Sequence, residues 1–366
     1  MKKISLLTIH LGANFGSILQ TIATVVVLKK MDCVIEVVNY VPDRCTWRRF
    51  FIDTIKVPSK LIRIFISLPV VAINKHIYNS LLAKHVKVST PIYSHDDFVG
   101  KCPLADIYMT GSDQVWNSIH NEGLDKHYYF ADFPENTVKI AYSSSIGRVS
   151  LEQDEYNKVK LLLRTYKAIS VREESAKKII ENMGYNVTQL VDPTFMLNKE
   201  EWKEYMSNRI VHDSYLLVYL PYNIHDKRII YKSVRKISDK MNLKVVTFAN
   251  HHILPEKMAD KTIYFANPGD FLSLMYYADY VVTNSFHGTA FSIVMNKPFF
   301  VYLPNKFGTR ILSILNLCSL QNRLLEADEF VSDEKMNVAL DYTRVNGLLD
   351  GERKRTYMFL NDALKD

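Results

Sequence analysis

Cysteine is scarce in this chain: four thiols, Cys33, Cys45, Cys102 and Cys318, in 366 residues. None forms a CxxC pair and no His/Cys cluster has zinc spacing, so no metal site is expected. Scattered thiols in a long chain fit a reducing cytoplasm better than an oxidising compartment. Glycine and proline number only 12 each, too few for long flexible linkers. Long apolar runs are missing as well. The longest, around residues 61–74, contains Arg63 and Pro69 and falls short of the ~20 residues that a membrane span needs. Charge of one sign is in mild excess, +7, which favours anionic partners such as phosphates, acidic sugars or a membrane surface. Aromatics are not interleaved with a basic stripe, so nucleic acid is not an expected partner. The opening Met1–His10 run is short, is broken at His10 and lacks a small-residue cleavage site. It reads as a buried first strand rather than a signal peptide.

What is present is 48% hydrophobic and 23% charged, a globular composition. At roughly 150 residues per domain the length suggests two domains. Short β-branched runs alternate with longer helical patterns, the mark of βαβ units and a parallel sheet. Strands are expected at Ile4 to His10, Cys33 to Tyr40, Asp106 to Thr110, Lys139 to Ser144, Ala168 to Val171 and Val187 to Val191. The helix Glu173 to Met183 should stop at Gly184, a left-handed cap. A second set follows at Tyr215 to Leu220, Leu243 to Ala249, Tyr280 to Thr283 and Pro298 to Leu303, with a helix at Thr289 to Met295. The fold class is therefore α/β with two Rossmann-like domains, residues 1–200 and 201–366. An insertion at 42–103 is basic and apolar at once. It reads either as helices packed on the first domain or as an interfacial anchor, through residues 44–87, at the inner face of the membrane.

Four motifs fall where strands end, and open parallel sheets bind ligands at those carboxyl ends. Asn14-Phe15-Gly16-Ser17, with Gln20 on the following helix, forms an anion-compatible turn, but its spacing is not that of a dinucleotide site. Ser112-Asp113-Gln114 with Trp116 is a polar and aromatic set suited to a sugar, or else a capped helix start with a buried indole. Arg172 leaves a strand and is suited to an anion, or else to a salt bridge with Glu173, Glu174 or Asp192. Ser285-Phe286-His287-Gly288 places an imidazole at a helix start, where it can give or take a proton near neutral pH, or else is a satisfied core or surface histidine. Lys306 and Arg310 add positive charge on the loop after the last strand.

Taken in order, Asn-Phe-Gly-Ser, Gly-Ser-Asp-Gln-Val-Trp-Asn, Tyr142-Ser143-Ser144-Ser145-Ile146-Gly147, Ser-Val-Arg-Glu, Asp192-Pro193-Thr194 and Ser-Phe-His-Gly resemble the polysaccharide pyruvyl transferase family. The resemblance runs from the first strand to about Arg310. It implies a fold similar to the GT-B glycosyltransferases, two Rossmann-like domains facing a cleft. It also implies phosphoenolpyruvate as donor and a hydroxyl pair on a lipid-linked oligosaccharide or polysaccharide as acceptor, with no cofactor. His287 would then be the general acid, and Arg172, Lys306, Arg310, Ser285 and Gly288 would hold the donor. Asn14, Phe15, Gly16, Ser17, Gln20, Ser112, Asp113, Gln114 and Trp116 would face the acceptor or line the cleft. Members of the family often carry Arg-Leu-His where this chain has Ser285-Phe286-His287, so a donor-binding arginine is replaced: either Arg310, Lys306 or Arg148 supplies its charge, or this branch uses a different donor. Competing readings are a GT-B-type glycosyltransferase using a nucleotide sugar and a non-catalytic glycan-binding component of an assembly complex.

Overall fold

The computed structural model describes residues 1–11, 14–46, 49, 73, 76–93, 97–222, 228–249, 258–305 and 308–365. The chain divides into two compact units, Met1–Met196 with Arg355–Asp366, and Leu197–Lys354. The last dozen residues, expected in the second domain, thus belong to the first unit. The reason is packing at the chain's end: Leu360 is fully buried, Lys2 Nζ donates to the Leu364 carbonyl, and Arg355 donates to the Gln189 carbonyl.

The first unit is built from β1 (Lys3–Leu7), α1 (Phe15–Lys29), β2 (Val34–Val37), β3 (Ile107–Thr110), β4 (Lys139–Ser144), α2 (Gln153–Leu163), β5 (Tyr166–Val171), α3 (Glu174–Asn182) and β6 (Thr188–Gln189). Its six strands pair in parallel in the order β2-β1-β3-β4-β5-β6. The order reverses between β1 and β3, which is where such sheets open a ligand crevice beyond the strands' carboxyl ends. Helix α1 is apolar nearly all round and correspondingly buried, as expected for a helix enclosed on several sides. The Asn14 side chain caps it by accepting the Gly16 N–H at 2.9 Å. Helix α3 ends at Gly184, whose φ of +90° is the expected left-handed stop.

Of the insertion, residues 76–85 are helical and bury Tyr78 and Leu82, with Val86 buried just beyond. Tyr78 stacks on Phe15 at 4.9 Å. Most of the basic stretch assigned to membrane contact, including Trp47, Arg48 and Arg63, lies outside the described residues. Among the described residues no helix is long and apolar enough to cross a membrane.

The second unit runs through β7 (Tyr215–Tyr219), α4 (Arg228–Met241), β8 (Lys244–Phe248), β9 (Lys261–Ile263), α5 (Pro268–Tyr277), β10 (Tyr280–Thr283), α6 (Phe286–Val294), β11 (Phe299–Tyr302), α7 (Thr309–Leu317) and β12 (Leu324–Leu325). Helix α8 (Tyr342–Leu364) follows. The strand order is β12-β11-β10-β7-β8-β9, again all parallel, and it reverses between β7 and β10. The central strands are continuous apolar runs because helices cover both faces of a parallel sheet. β10 and β11 have every residue buried. The two-residue β12 and three-residue β9 are too short to show a period, so they left no signal in the sequence.

Candidate functional site

In the first unit the motifs meet at the reversal point. Beyond β1, Thr8 Oγ1 donates to the Ser112 carbonyl at 2.7 Å and accepts from Gln20 Nε2 at 3.0 Å. Ser17 Oγ donates to Asp113 Oδ2 at 2.6 Å. Asp113 itself has φ +74°, a left-handed conformation that costs a non-glycine residue about 1–3 kcal/mol when it is held against its preference. The Ser17 contact and three others hold it there. Its Oδ1 accepts the Gln114 N–H at 2.8 Å and Arg172 Nη2 at 3.2 Å, and its carbonyl accepts the Ser145 N–H at 3.1 Å.

Arg172 is the hub. Its Nη1 donates to Asp192 Oδ2 at 2.6 Å, an oxygen that also receives Ser112 Oγ at 2.9 Å. Glu173 Oε2 stands 3.8 Å from its Nε. Burial alone would lower the pKa of this guanidinium, but Asp192, Asp113 and Glu173 outweigh it and hold the group above its ordinary value. Glu173 Oε1 gathers Ser145 Oγ (3.0 Å) and the N–H groups of Ile146 (2.9 Å) and Gly147 (2.8 Å). Asp192 Oδ1 takes the Thr194 N–H at 3.0 Å and its hydroxyl at 2.8 Å. Nearby, buried His10 has its pKa lowered by desolvation, against opposing hydrogen bonds to the Thr8 carbonyl and Asn39.

This geometry corrects several expectations. The Arg172 side chain is 1% exposed and already faces three carboxylates, so a further anion would be repelled. Its place is inside the sheet edge. Trp116 is buried, donates its indole N–H to the Tyr128 carbonyl at 3.2 Å and stacks on Tyr129 at 5.3 Å; it offers no face to a sugar. Phe15, Gly16, Ser17, Gln20, Ser112, Asp113 and Gln114 are buried as well. Asn14 spends its side-chain oxygen as a helix cap. Buried strand ends need partners for their backbone groups, and Thr8, Gln20 and Ser144 supply them for Ser112, Ile9 and Gly111.

In the second unit the reversal point lies between β7 and β10. Thr283 Oγ1 donates to the Tyr219 carbonyl at 2.7 Å, tying the two strand ends together, and accepts the Ser285 N–H at 3.1 Å. Asn284 grips the backbone of Tyr222 twice: its Nδ2 donates to the carbonyl at 2.7 Å and its Oδ1 accepts the N–H at 3.3 Å. Helix α6 starts at once, with Ser285 as extended N-cap (φ −105°, ψ 138°) and its carbonyl accepting Thr289 N–H and Oγ1, both at 2.9 Å. The helix begins three residues before the expected Thr289, which puts His287 in its first turn. That turn presses against Thr283: a Cβ at Gly288 would lie 2.2 Å from Thr283 Oγ1. Only glycine fits.

His287 is 4% exposed and packs edge-on against Phe286, ring centroids 5.1 Å apart. The guanidinium of buried Arg310, in the first turn of α7, lies 5.4 Å from the centre of the same Phe286 ring, a cation–π contact. The structure thus gathers His287, Ser285, Gly288 and Arg310 at one sheet edge. Lys306 lies outside the described residues.

Residues 14–305 match the sequence model of polysaccharide pyruvyl transferase. The chain belongs to the polysaccharide pyruvyl transferase family. It is therefore a transferase of polysaccharide biosynthesis, moving pyruvate onto a polysaccharide. The match reaches from the Asn14 cap to Asn305, so it contains the four strand-end motifs, whereas β1 and Thr8 precede it and Lys306 and Arg310 follow it. No curated protein sequence matches the chain. Among solved structures it is similar to a UDP-N-acetylglucosamine 2-epimerase (TM-score 0.53, 10% identity, 100% of this chain and 95% of that one covered). It is also similar to the UDP-GlcNAc 2-epimerase of Methanocaldococcus jannaschii (0.52, 11%, 95% and 92%) and to S. aureus MnaA in its UDP co-structure (0.50, 15%, 99% and 91%). At such identities the likeness concerns the fold, which is of the GT-B type.

The sequence of this pyruvyl transferase family member places Asn284 at the strand-end turn but gives no sign of Thr8, Tyr219 and Tyr222 as parts of the two edges. Asn284 and Tyr222 are 62 residues apart, and no local pattern announces such a pair.

Proposed function

We propose that the pyruvyl donor is phosphoenolpyruvate and that His287 is the general acid, the product being a pyruvate ketal on a polysaccharide repeat unit. The observation that carries this reading is the position of His287. It stands in the first turn of α6, at the reversal point of the second sheet, with the Arg310 cation in the same aromatic cluster. Protonated imidazole gives its proton to the methylene carbon of the enol, and positive charge develops on the carbon that bears the phosphate ester. One sugar hydroxyl adds there and loses its proton to solvent. The C–O bond to phosphate breaks, the phosphate leaving with its electron pair, and a second hydroxyl adds to the same carbon and returns a proton to the neutral imidazole, closing the ketal. Arg310 and the positive end of α6 favour the anionic donor and the leaving phosphate. Ser285, where relatives often carry arginine, leaves that task to Arg310.

Calorimetric binding of phosphoenolpyruvate, beside UDP-, GDP- and CMP-sugars, tests the donor. Phosphoenolpyruvate alone is expected to bind, and Arg310→Ala to weaken it. His287→Ala is expected to abolish turnover while leaving donor affinity within a few-fold, the pattern of a proton donor. Equal loss of binding would make His287 a ligand-holding residue, and binding of a nucleotide sugar instead would replace the donor and this mechanism with glycosyl transfer.

A further inference from the structure

At the opposite, amino edge of the second sheet lies a cavity of about 760 Å³. The residues that immediately precede β7, β8, β10, β11 and β12 all line it. One of these is Arg323, 1% exposed. Its Nη2 donates to the Val338 carbonyl and its guanidinium lies 5.6 Å from the centre of the Phe300 ring. No carboxylate among the described residues comes within ion-pair distance of it, and its Nε has no hydrogen-bond partner.

The Tyr280 hydroxyl and Asn296 Oδ1 on this cavity wall likewise make no hydrogen bond of normal geometry, and the hydroxyl lies beside the Arg323 guanidinium and interacts with it. Asp279, the acidic residue of the wall, has its Oδ2 occupied by the Tyr215 N–H at 2.9 Å. Burial pulls the pKa of Arg323 below its usual value, opposed by Tyr280 and Tyr342. Burial likewise pushes Tyr280 up to about 12, so its hydroxyl keeps its proton and can donate. A buried charge without a counter-charge is costly, and an oxyanion beside Arg323 would relieve that cost. Met336 and Leu340 add an apolar wall.

We propose that this cavity is a second binding site, for a carboxylate or phosphate monoester carried on an apolar body, with Arg323 and Tyr280 as donors to the oxyanion. It is separate from the His287 edge and does not depend on which donor that edge uses.

Calorimetric titration with hexyl phosphate, hexanoate and inorganic phosphate tests it on wild type, Arg323→Gln, Ala339→Trp and Arg310→Ala. Ala339 is an exposed residue of the cavity wall, so the tryptophan obstructs the cavity while leaving Arg323 in place. At least one alkyl anion is expected to bind wild type more tightly than inorganic phosphate, and the tighter of the two identifies the headgroup. That affinity should fall tenfold or more in Arg323→Gln and in Ala339→Trp, and stay unchanged in Arg310→Ala. The proposal is overturned if neither alkyl anion binds wild type, if Ala339→Trp binds like wild type, or if only Arg310→Ala loses binding. Should Arg323→Gln fail to fold, the Ala339→Trp comparison decides alone.

Discussion

At position 288 a single methyl group is enough to disturb the candidate active edge. The alanine Cβ would meet Thr283 Oγ1 at 2.2 Å, and Thr283 cannot swing away cheaply. Its hydroxyl bonds the Tyr219 carbonyl and the Ser285 N–H, and it belongs to fully buried β10. Gly288→Ala should therefore destabilise the second unit by about 1–3 kcal/mol, the range for overpacking a tight site, and displace His287 in the same turn. A urea titration of the variant beside wild type reads the first effect, and turnover reads the second. An unchanged midpoint would show that the helix start has room to spare.

Among the elements, one arginine and three carboxylates tie together the segments that follow β3, β4, β5 and β6. Arg172→Met would leave Asp113, Asp192 and Glu173 buried together without a counter-charge. Removing one partner of a buried ion pair costs roughly 3–5 kcal/mol, so the first unit should unfold at markedly lower denaturant. The opposite pattern, intact stability with lost donor affinity, would return Arg172 to the anion-holding role first expected of it. Helix α6 supplies a second lesson at this scale. Periodicity put its start at Thr289, whereas the chain turns into helix at Phe286, because the backbone of Ser285 is fixed by Thr283 and needs no side-chain cap.

For the molecule as a whole, the end of α8 counts with the first unit although the rest of that helix counts with the second. Deleting residues 355–366 would remove buried Leu360 and Ala363 and the bonds to Lys2 and Gln189. Each large apolar side chain withdrawn from burial forfeits about 1.5–3 kcal/mol. The truncated protein should lose protease resistance first within residues 1–196. Cleavage confined to the second unit would show that the helix end is dispensable to the first.

Local information was enough for the alternation of strands and helices, for the strands' carboxyl ends as the places where chemistry-bearing residues gather, and for the order of motifs that marks the family. Each of these is carried by side-chain period, turn residues or short contiguous runs, which act within a few residues of themselves. The strand orders, the meeting of Arg172 with Asp113 and Asp192, 59 and 20 residues away, and the tie from Thr283 to Tyr219 came only with the tertiary structure. So did the inward turn of Trp116 and the isolation of Arg323 from any carboxylate among the described residues. Parallel strands pair across long crossovers, and whether a polar side chain faces ligand or core depends on what those crossovers bring against it.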